Sequence, residues 1–359
     1  MPLRFALDRR MSKLRVAAIQ VESHDGELAG NLSRAEPLVA GAAAAGSQLV
    51  LCPEFLAAGY IYDEAIWRSG ERRGGPTESW LARLAAAHRI HIGASYLEAD
   101  GDDFFNTFAL AGPDGSIVGR VQKESLPAFE GWYFRSCELP KTIDTALGRI
   151  AVGICQDNHT ARFMRRIADA APDLILMPHS APCMPVARTL VREGLTEIAP
   201  FYARELGAPV VLVNKARTFS RTPLPGVPWL RVPMAFPGLS MIVDGDASVV
   251  ARAASREGTI VGDVTLDPAR KRRPAVPRGY WSRPPSTMPR LAGAFLIVME
   301  RLGKRAYARN PRRVEAARAV RPSVTRPLSA RAGAPTTPPT PSRPRRRPGT
   351  RSRGSRSAR

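Results

Sequence analysis

A carboxylate, an ammonium and a thiol stand far apart in this chain, yet each closes a run that reads as a strand. Glu54 follows Gln48-Leu-Val-Leu-Cys-Pro, Lys123 follows Gly115-Ser-Ile-Val-Gly-Arg-Val-Gln, and Cys155 follows Gly148-Arg-Ile-Ala-Val-Gly-Ile. Runs of this kind read as strands, and open α/β sheets gather their sites at strand ends. The residue types suit one chemistry. A free thiol has a pKa of about 8.5, so little of it is thiolate at neutral pH. A neighbouring carboxylate can take its proton and later return it to a leaving amine. The ammonium of Lys123 would favour the thiolate and then hold the oxyanion formed at an attacked carbonyl carbon. The backbone N–H of Gln156 is the candidate second oxyanion donor.

The elements that must position these residues alternate in the manner of an α/β protein. Strands are predicted near residues 15–21, 48–52, 90–96, 104–111, 116–122, 149–155, 173–178, 209–214, 239–244 and 258–265. Helices are predicted over Leu28 to Gly46, Thr77 to His88, His159 to Ala171 and Ala187 to Leu206. Pro113-Asp-Gly115 is a hairpin turn, which argues against a purely parallel sheet. Residues 216–237 carry many prolines and three arginines and read as one long loop. Arg217, Arg221 and Arg231 there either face solvent or read an anionic substrate group.

Around the trio the chain resembles the nitrilase superfamily of carbon–nitrogen hydrolases. The matching pieces stand in the family's order: Arg15-Val-Ala-Ala-Ile-Gln20, Pro53-Glu54-Phe55 with Gly59-Tyr60, Asn106-Thr107, Lys123-Glu-Ser-Leu-Pro127, Glu130-Gly-Trp-Tyr-Phe134 and Gly148-Arg-Ile-Ala-Val-Gly-Ile-Cys-Gln-Asp157. Asp173-Leu-Ile-Leu-Met-Pro178, Val211-Leu-Val-Asn214 and Gly238-Leu-Ser-Met-Ile-Val-Asp244 follow. The likeness covers roughly residues 13 to 270, one domain by length. It implies a four-layer α-β-β-α sandwich and adds Glu130 as a fourth catalytic group, holding Lys123 and helping to place substrate or water. On pattern alone Glu130 would be a loop carboxylate. The resemblance also implies that Tyr60, Trp132, Tyr133, Gln156 and His179 line the substrate cavity, and that the protein is a homodimer or larger homo-oligomer.

The motifs lean toward the amidase and N-carbamoyl amidase branches. Gln156-Asp157 follows the cysteine where nitrilases tend to carry Trp-Glu, while Asp157-Asn-His-Thr160 lacks the continuation common in several amidase branches. The expected activity is therefore hydrolysis of an amide or N-carbamoyl amide through a thioester. Nitrile hydrolysis and acyl transfer would use the same residues. The alternative from another class is an inactive scaffold that binds polyanions through its C-terminus.

Charge is unevenly placed. The chain has 359 residues and a net charge of +21. Residues 271–359 hold 24 Lys+Arg and 2 Asp+Glu, whereas the first 270 residues hold 29 and 30. Residues 1–12 read as an N-terminal extension, with Met11 a possible start, and 13–270 as the hydrolase domain. Residues 271–320 form a basic extension with a helix expected over 291–319, its stripe made of Leu291, Phe295, Met299, Leu302 and Tyr307. The Arg/Pro-rich residues 321–359 cannot bury a core and read as disordered. They lack the interleaved aromatics of a single-strand binder and would hold nucleic acid only weakly and without specificity.

Cys52, Cys137, Cys155 and Cys183 make no C-x-x-C pair and read as free thiols of a reducing compartment. The five histidines show no metal-ligand spacing, so no metal is expected. No P-loop or Gly-rich dinucleotide fingerprint is present, and no cofactor is implied. With no secretory leader and no membrane-length apolar run, a cytoplasmic enzyme of small molecules is the expectation.

Overall fold

The alternation of apolar residues sorts the strands into layers. The computed structural model describes residues 11–127, 129–183, 188–216, 219–224, 227–275 and 290–320. In β1 (Ser12–Gln20), Val16 and Ala18 point to one face and Ala17 and Ile19 to the other. All four are fully buried, the pattern of an interior strand covered on both sides. β1 runs parallel to β2 (Leu49–Leu51), and β2 parallel to β3 (His91–Asp100). β4 (Asp103–Ala111) and β5 (Ile117–Gln122) extend the sheet antiparallel through the Pro113-Asp-Gly115 turn. Nine paired residues, from Ser12↔Leu266 to Gln20↔Gly258, join β1 to a strand at Gly258–Leu266 on its free side.

A second six-stranded sheet repeats the plan. β6 (Thr142–Thr145), β7 (Gly148–Val152), β8 (Leu174–Pro178) and β9 (Val210–Val213) lie side by side, the last three parallel. The sheets meet through Val16, Ala18, Leu49 and Leu51 on one side and Ile150, Val152, Leu174 and Val211 on the other. Each such side chain contributes roughly 1.5–3 kcal/mol by leaving water. Outside, α1 (Leu28–Ala44) and α2 (Pro76–His88) cover the first sheet, while α3 (Ala161–Ala170) and α4 (Arg188–Leu206) cover the second. The expected four-layer α-β-β-α sandwich is therefore the fold.

The long proline-rich loop expected over 216–237 is instead a hairpin, β10 (Phe219–Leu224) and β11 (Val227–Ala235). Proline lacks the ladder N–H, and a two-stranded ribbon has an unpaired edge on each strand where that loss is tolerated. The register shifts between Pro223 and Leu224. Arg231 is exposed, and the side chains of Arg217 and Arg221 lie outside the described residues. β6 and the edge strand β13 (Val249–Arg252), which pairs with β12 (Met241–Val243), escaped the sequence reading. An edge strand such as β13, largely exposed, lacks the apolar run that marks a buried one. The strand that closes the first sheet, Gly258–Leu266, is β14.

The helix expected over 291–319 is two helices, α5 (Arg290–Arg309) and α6 (Pro311–Ala319). Pro311 cannot continue a helix but suits the first turn of a new one, and Asn310 caps it by accepting from Arg312 N. The stripe splits accordingly. Tyr307 is buried and its hydroxyl accepts from Phe104 N at 2.8 Å, whereas Phe295 and Leu302 stay exposed and Met299 is half-buried. Arg318 bonds Asp102, and Arg72 donates to Ala317 O, so α6 is tied to the body. The side chain of Leu291, residues 1–10 of the N-terminal extension and the 321–359 tail lie outside the described residues. Among the described residues no helix is long and apolar enough to cross a membrane.

Candidate active site

Glu54 lies just beyond β2, and its backbone is pinned from the other sheet. Glu54 N donates to His179 O at 3.2 Å, and Ser180 Oγ donates to Glu54 O at 2.6 Å. Phe55, next in the chain, sits at φ +48°, a left-handed conformation secured by Phe55 N donating to Ser95 Oγ. Three donors hold the carboxylate and leave Oε2 with a lone pair to spare. Oε1 accepts from Lys123 Nζ and from Asn106 Nδ2, both at 2.7 Å, and Oε2 accepts from Ser180 N at 2.8 Å.

Lys123 follows β5 directly and is fully buried. Its ammonium also donates to Glu130 Oε1 at 2.9 Å and lies 2.8 Å from Oε2. Glu130 opens a one-turn 3-10 helix, Glu130–Trp132, and also accepts from the Tyr60 hydroxyl at 2.6 Å. One cation thus serves two buried carboxylates. Burial alone would pull the Lys123 ammonium down, but Glu130 and Glu54 together hold its pKa above the usual lysine range. Burial raises the pKa of Glu130, and nearby Glu54 adds to the rise that Lys123 opposes.

Cys155 stands just past β7 at the start of a 3-10 turn, Cys155–His159, with φ +49°. Few non-glycine residues adopt that conformation, and it is held here by a staple. Asn158 Nδ2 donates to Gly153 O at 2.7 Å and to Cys155 O at 3.2 Å. A Cβ on Gly153 would come within 1.9 Å of Asn158 Oδ1, so the staple needs glycine there. Asp157 Oδ1 accepts from Ser125 N at 2.7 Å and so ties this turn to the segment after Lys123. Burial drives the Cys155 pKa well up and the Glu54 charge adds to it, with Lys123 and the Ser180 N–H only partly offsetting them. The sequence-based expectation that Lys123 poises a thiolate is thus modified. The ammonium is shared between two carboxylates, and burial with the Glu54 charge works against the thiolate form of Cys155.

The remaining candidates divide. Gln156 is buried beside Cys155, and its Nε2 has no hydrogen-bond partner. His179 follows β8 and lies within the field of Lys123. Its Nδ1–H faces Met177 O at 3.0 Å, which leaves Nε2 as an unused acceptor. Burial lowers its pKa to about 4, so the ring is neutral. Tyr60 joins the centre through Glu130. Trp132 and Tyr133 lie in the same aromatic cluster as Tyr60 and Tyr62. Trp132 packs against Gly303 of α5, and Tyr133 sets its ring beside Trp67, its electrostatic neighbours being Asp63 and Glu64.

Residues that the sequence did not single out complete the arrangement. Asn106 and Ser180 hold the Glu54 carboxylate, and the Tyr62 hydroxyl donates to the Tyr60 hydroxyl. Lys215, just after β9, is fully buried with no hydrogen-bond partner for Nζ. Its signal was available: a lysine placed one residue past the end of an all-apolar strand and Asn214. Among the described residues no cluster of potential ligands could hold a metal ion.

A strand-end cysteine and a buried carboxylate–lysine–carboxylate group thus stand together in a four-layer α-β-β-α sandwich. The chain belongs to the carbon-nitrogen hydrolase family, whose model matches residues 15–274. It is 28% identical over 204 residues to a nitrilase of Pyrococcus abyssi, covering 54% of this chain and 77% of that protein. It is 28% identical over 177 residues to a citrullinase of Francisella tularensis, covering 47% of this chain and 62% of that protein, so less than two thirds of the latter is spanned. A solved carbon-nitrogen hydrolase from Helicobacter pylori superposes with a TM-score of 0.62 at 19% identity, covering 72% of this chain and 91% of that one, a likeness of fold.

Proposed function

We propose that this protein hydrolyses a non-peptide amide or N-carbamoyl amide through a Cys155 thioester. The observation that carries this reading is the placement of Cys155, Glu54, Lys123 and Glu130 in one buried, mutually charged group. Glu54 removes the thiol proton as Cys155 Sγ bonds to the amide carbon. Lys123 and the Gln156 N–H balance the negative charge that develops on oxygen. The carbon–nitrogen bond breaks and the departing nitrogen takes the proton held by Glu54. Water then adds to the thioester, giving its proton to Glu54, and the carbon–sulfur bond breaks to restore the thiol. Glu130 acts by keeping Lys123 charged and in place. The raised Cys155 pKa supports a concerted role for the base, since little thiolate exists beforehand.

The test is ammonia release across N-carbamoyl compounds, ω-amides, simple amides and nitriles, with Cys155→Ala as control. Release from amides or carbamoyl amides that disappears in the variant is the expected result. Release from nitriles alone would assign the runner-up activity. Equal release by the variant would remove Cys155 as nucleophile.

A further inference from the structure

The parallel strands β7, β8 and β9 end side by side, and each is followed within a few residues by a buried polar side chain with an unused nitrogen. These are Gln156 Nε2, His179 Nε2 and Lys215 Nζ. Buried polar groups in folded proteins are nearly always partnered, so three vacancies along one sheet edge beside the nucleophile mark a surface built for a ligand. Lys215 is the most demanding of the three. Its ammonium offers three donors, and a charge buried without a partner costs several kcal/mol.

What surrounds Lys215 sharpens the point. Nζ lies 5.9 Å from the centre of the Tyr60 ring and 5.6 Å from that of Phe236. Ring faces attract a cation, but only weakly beside what burial costs it. The same Tyr60 holds Glu130 with its hydroxyl, so one aromatic ring links Lys215 to the catalytic group. Asp25 and Glu54 act on Lys215 through space, yet neither stands within hydrogen-bond reach of Nζ. We propose that Lys215 is an anion-recognising group of the substrate site and that the natural substrate carries a carboxylate on the far side of its scissile amide. The lysine is charged at neutral pH, burial having lowered its pKa only to about 8.

The inference deepens the hydrolase reading and rests on it for the other end of the ligand, so it is tested by binding rather than turnover. In the Cys155→Ala background, calorimetry would compare succinamate with butyramide and glutaramate with valeramide. Within each pair the lengths match and a carboxylate replaces a methyl group. A charged hydrogen bond predicts tighter binding of a carboxylate by on the order of 10- to 100-fold in at least one pair. Adding Lys215→Met should collapse that ratio to near one, and Lys215→Arg should keep most of it.

Ratios near one without the second substitution, binding of neither member of either pair, or a ratio that survives Lys215→Met would each overturn the inference. Cys155-dependent release of ammonia from uncharged amides alone does so while leaving the hydrolase intact. A Lys215-dependent ratio in a protein that releases no ammonia keeps the anion site and removes the hydrolase reading.

Discussion

Lys123 and Lys215 are both buried ammonium groups at strand ends, one in each sheet, and their surroundings are opposites. Lys123 meets two carboxylates, whose Oε1 atoms also accept from Asn106 and Tyr60. Lys215 meets the rings of Tyr60 and Phe236 and no hydrogen-bond acceptor. Lys123 is accordingly held above the usual lysine pKa, whereas burial lowers that of Lys215 to about 8. The difference separates two tasks. Under the proposed hydrolysis, Lys123 would keep one charge state and one position, and Lys215 would wait for a ligand at a cost in stability.

Several substitutions would break or sharpen this contrast, and they are ordered by expected effect. Glu54→Gln keeps shape but removes the base, and a general base is worth about 10²–10⁴-fold. Steady-state kinetics should show that fall in kcat, with the protein still folded by circular dichroism. Lys123→Met leaves two buried carboxylates without their cation, which should cost about 3–5 kcal/mol in denaturant unfolding. A loss below about 1 kcal/mol would mean that the cluster is not the electrostatic keystone described above.

Acid should act on the second sheet first. Burial lowers the pKa of His159 to about 3 and of His179 to about 4, both from an ordinary 6.5. The unfolded chain binds protons that the folded one refuses, so their contribution is intact above pH 6.5 and fades as pH falls toward the folded values. At pH 5 each should cost about 2 kcal/mol, read as a fall in unfolding free energy that His159→Asn lessens. Lys215→Met should do the reverse and stabilise the protein by about 1–3 kcal/mol at pH 7, after allowing for lost ring contacts. Because the folded pKa is depressed, the wild type carries its penalty below about pH 8 and sheds it as pH rises toward 10.5. The two proteins should therefore converge at high pH; a gap that persists there would assign the effect to packing. The smallest change is Gly303→Ala, whose added methyl would lie 2.5 Å from the Trp132 ring. It should cost about 1–2 kcal/mol without altering substrate preference, consistent with Trp132 packing beneath α5.

The layers were legible because strands buried on both faces leave apolar runs; Glu54 and Cys155 each follow one, whereas Lys123 follows the half-buried edge strand β5. Pairing was not legible. The resemblance alone suggested that Glu130 holds Lys123, whereas the bonds of Glu54 to Lys123 and Asn106 depend on contacts between residues up to 69 apart in sequence. Trp132 and Tyr133 sit within a few residues of Glu130, but a single turn of helix sends their rings toward α5 and Trp67. The β10–β11 hairpin escaped because its prolines resemble a loop until the free edges of a two-stranded ribbon are considered. Lys215 was passed over although it follows the apolar run Val210–Val213 and Asn214, because only its lack of a partner in three dimensions sets it apart from other lysines.

The buried Tyr307 also sets a timetable. Its hydroxyl serves Phe104 N, 203 residues earlier in the chain, and its ring fills the same cluster as Trp67 and Phe104. At the usual 5–20 residues per second of synthesis, roughly 10–40 s separate the appearance of the two partners. During that interval the nascent chain must keep an aromatic patch from sticking to something else. The last turns of α5 and the start of α6 therefore act as the latch that ends this exposure, and a chain cut short at residue 274 would never receive it.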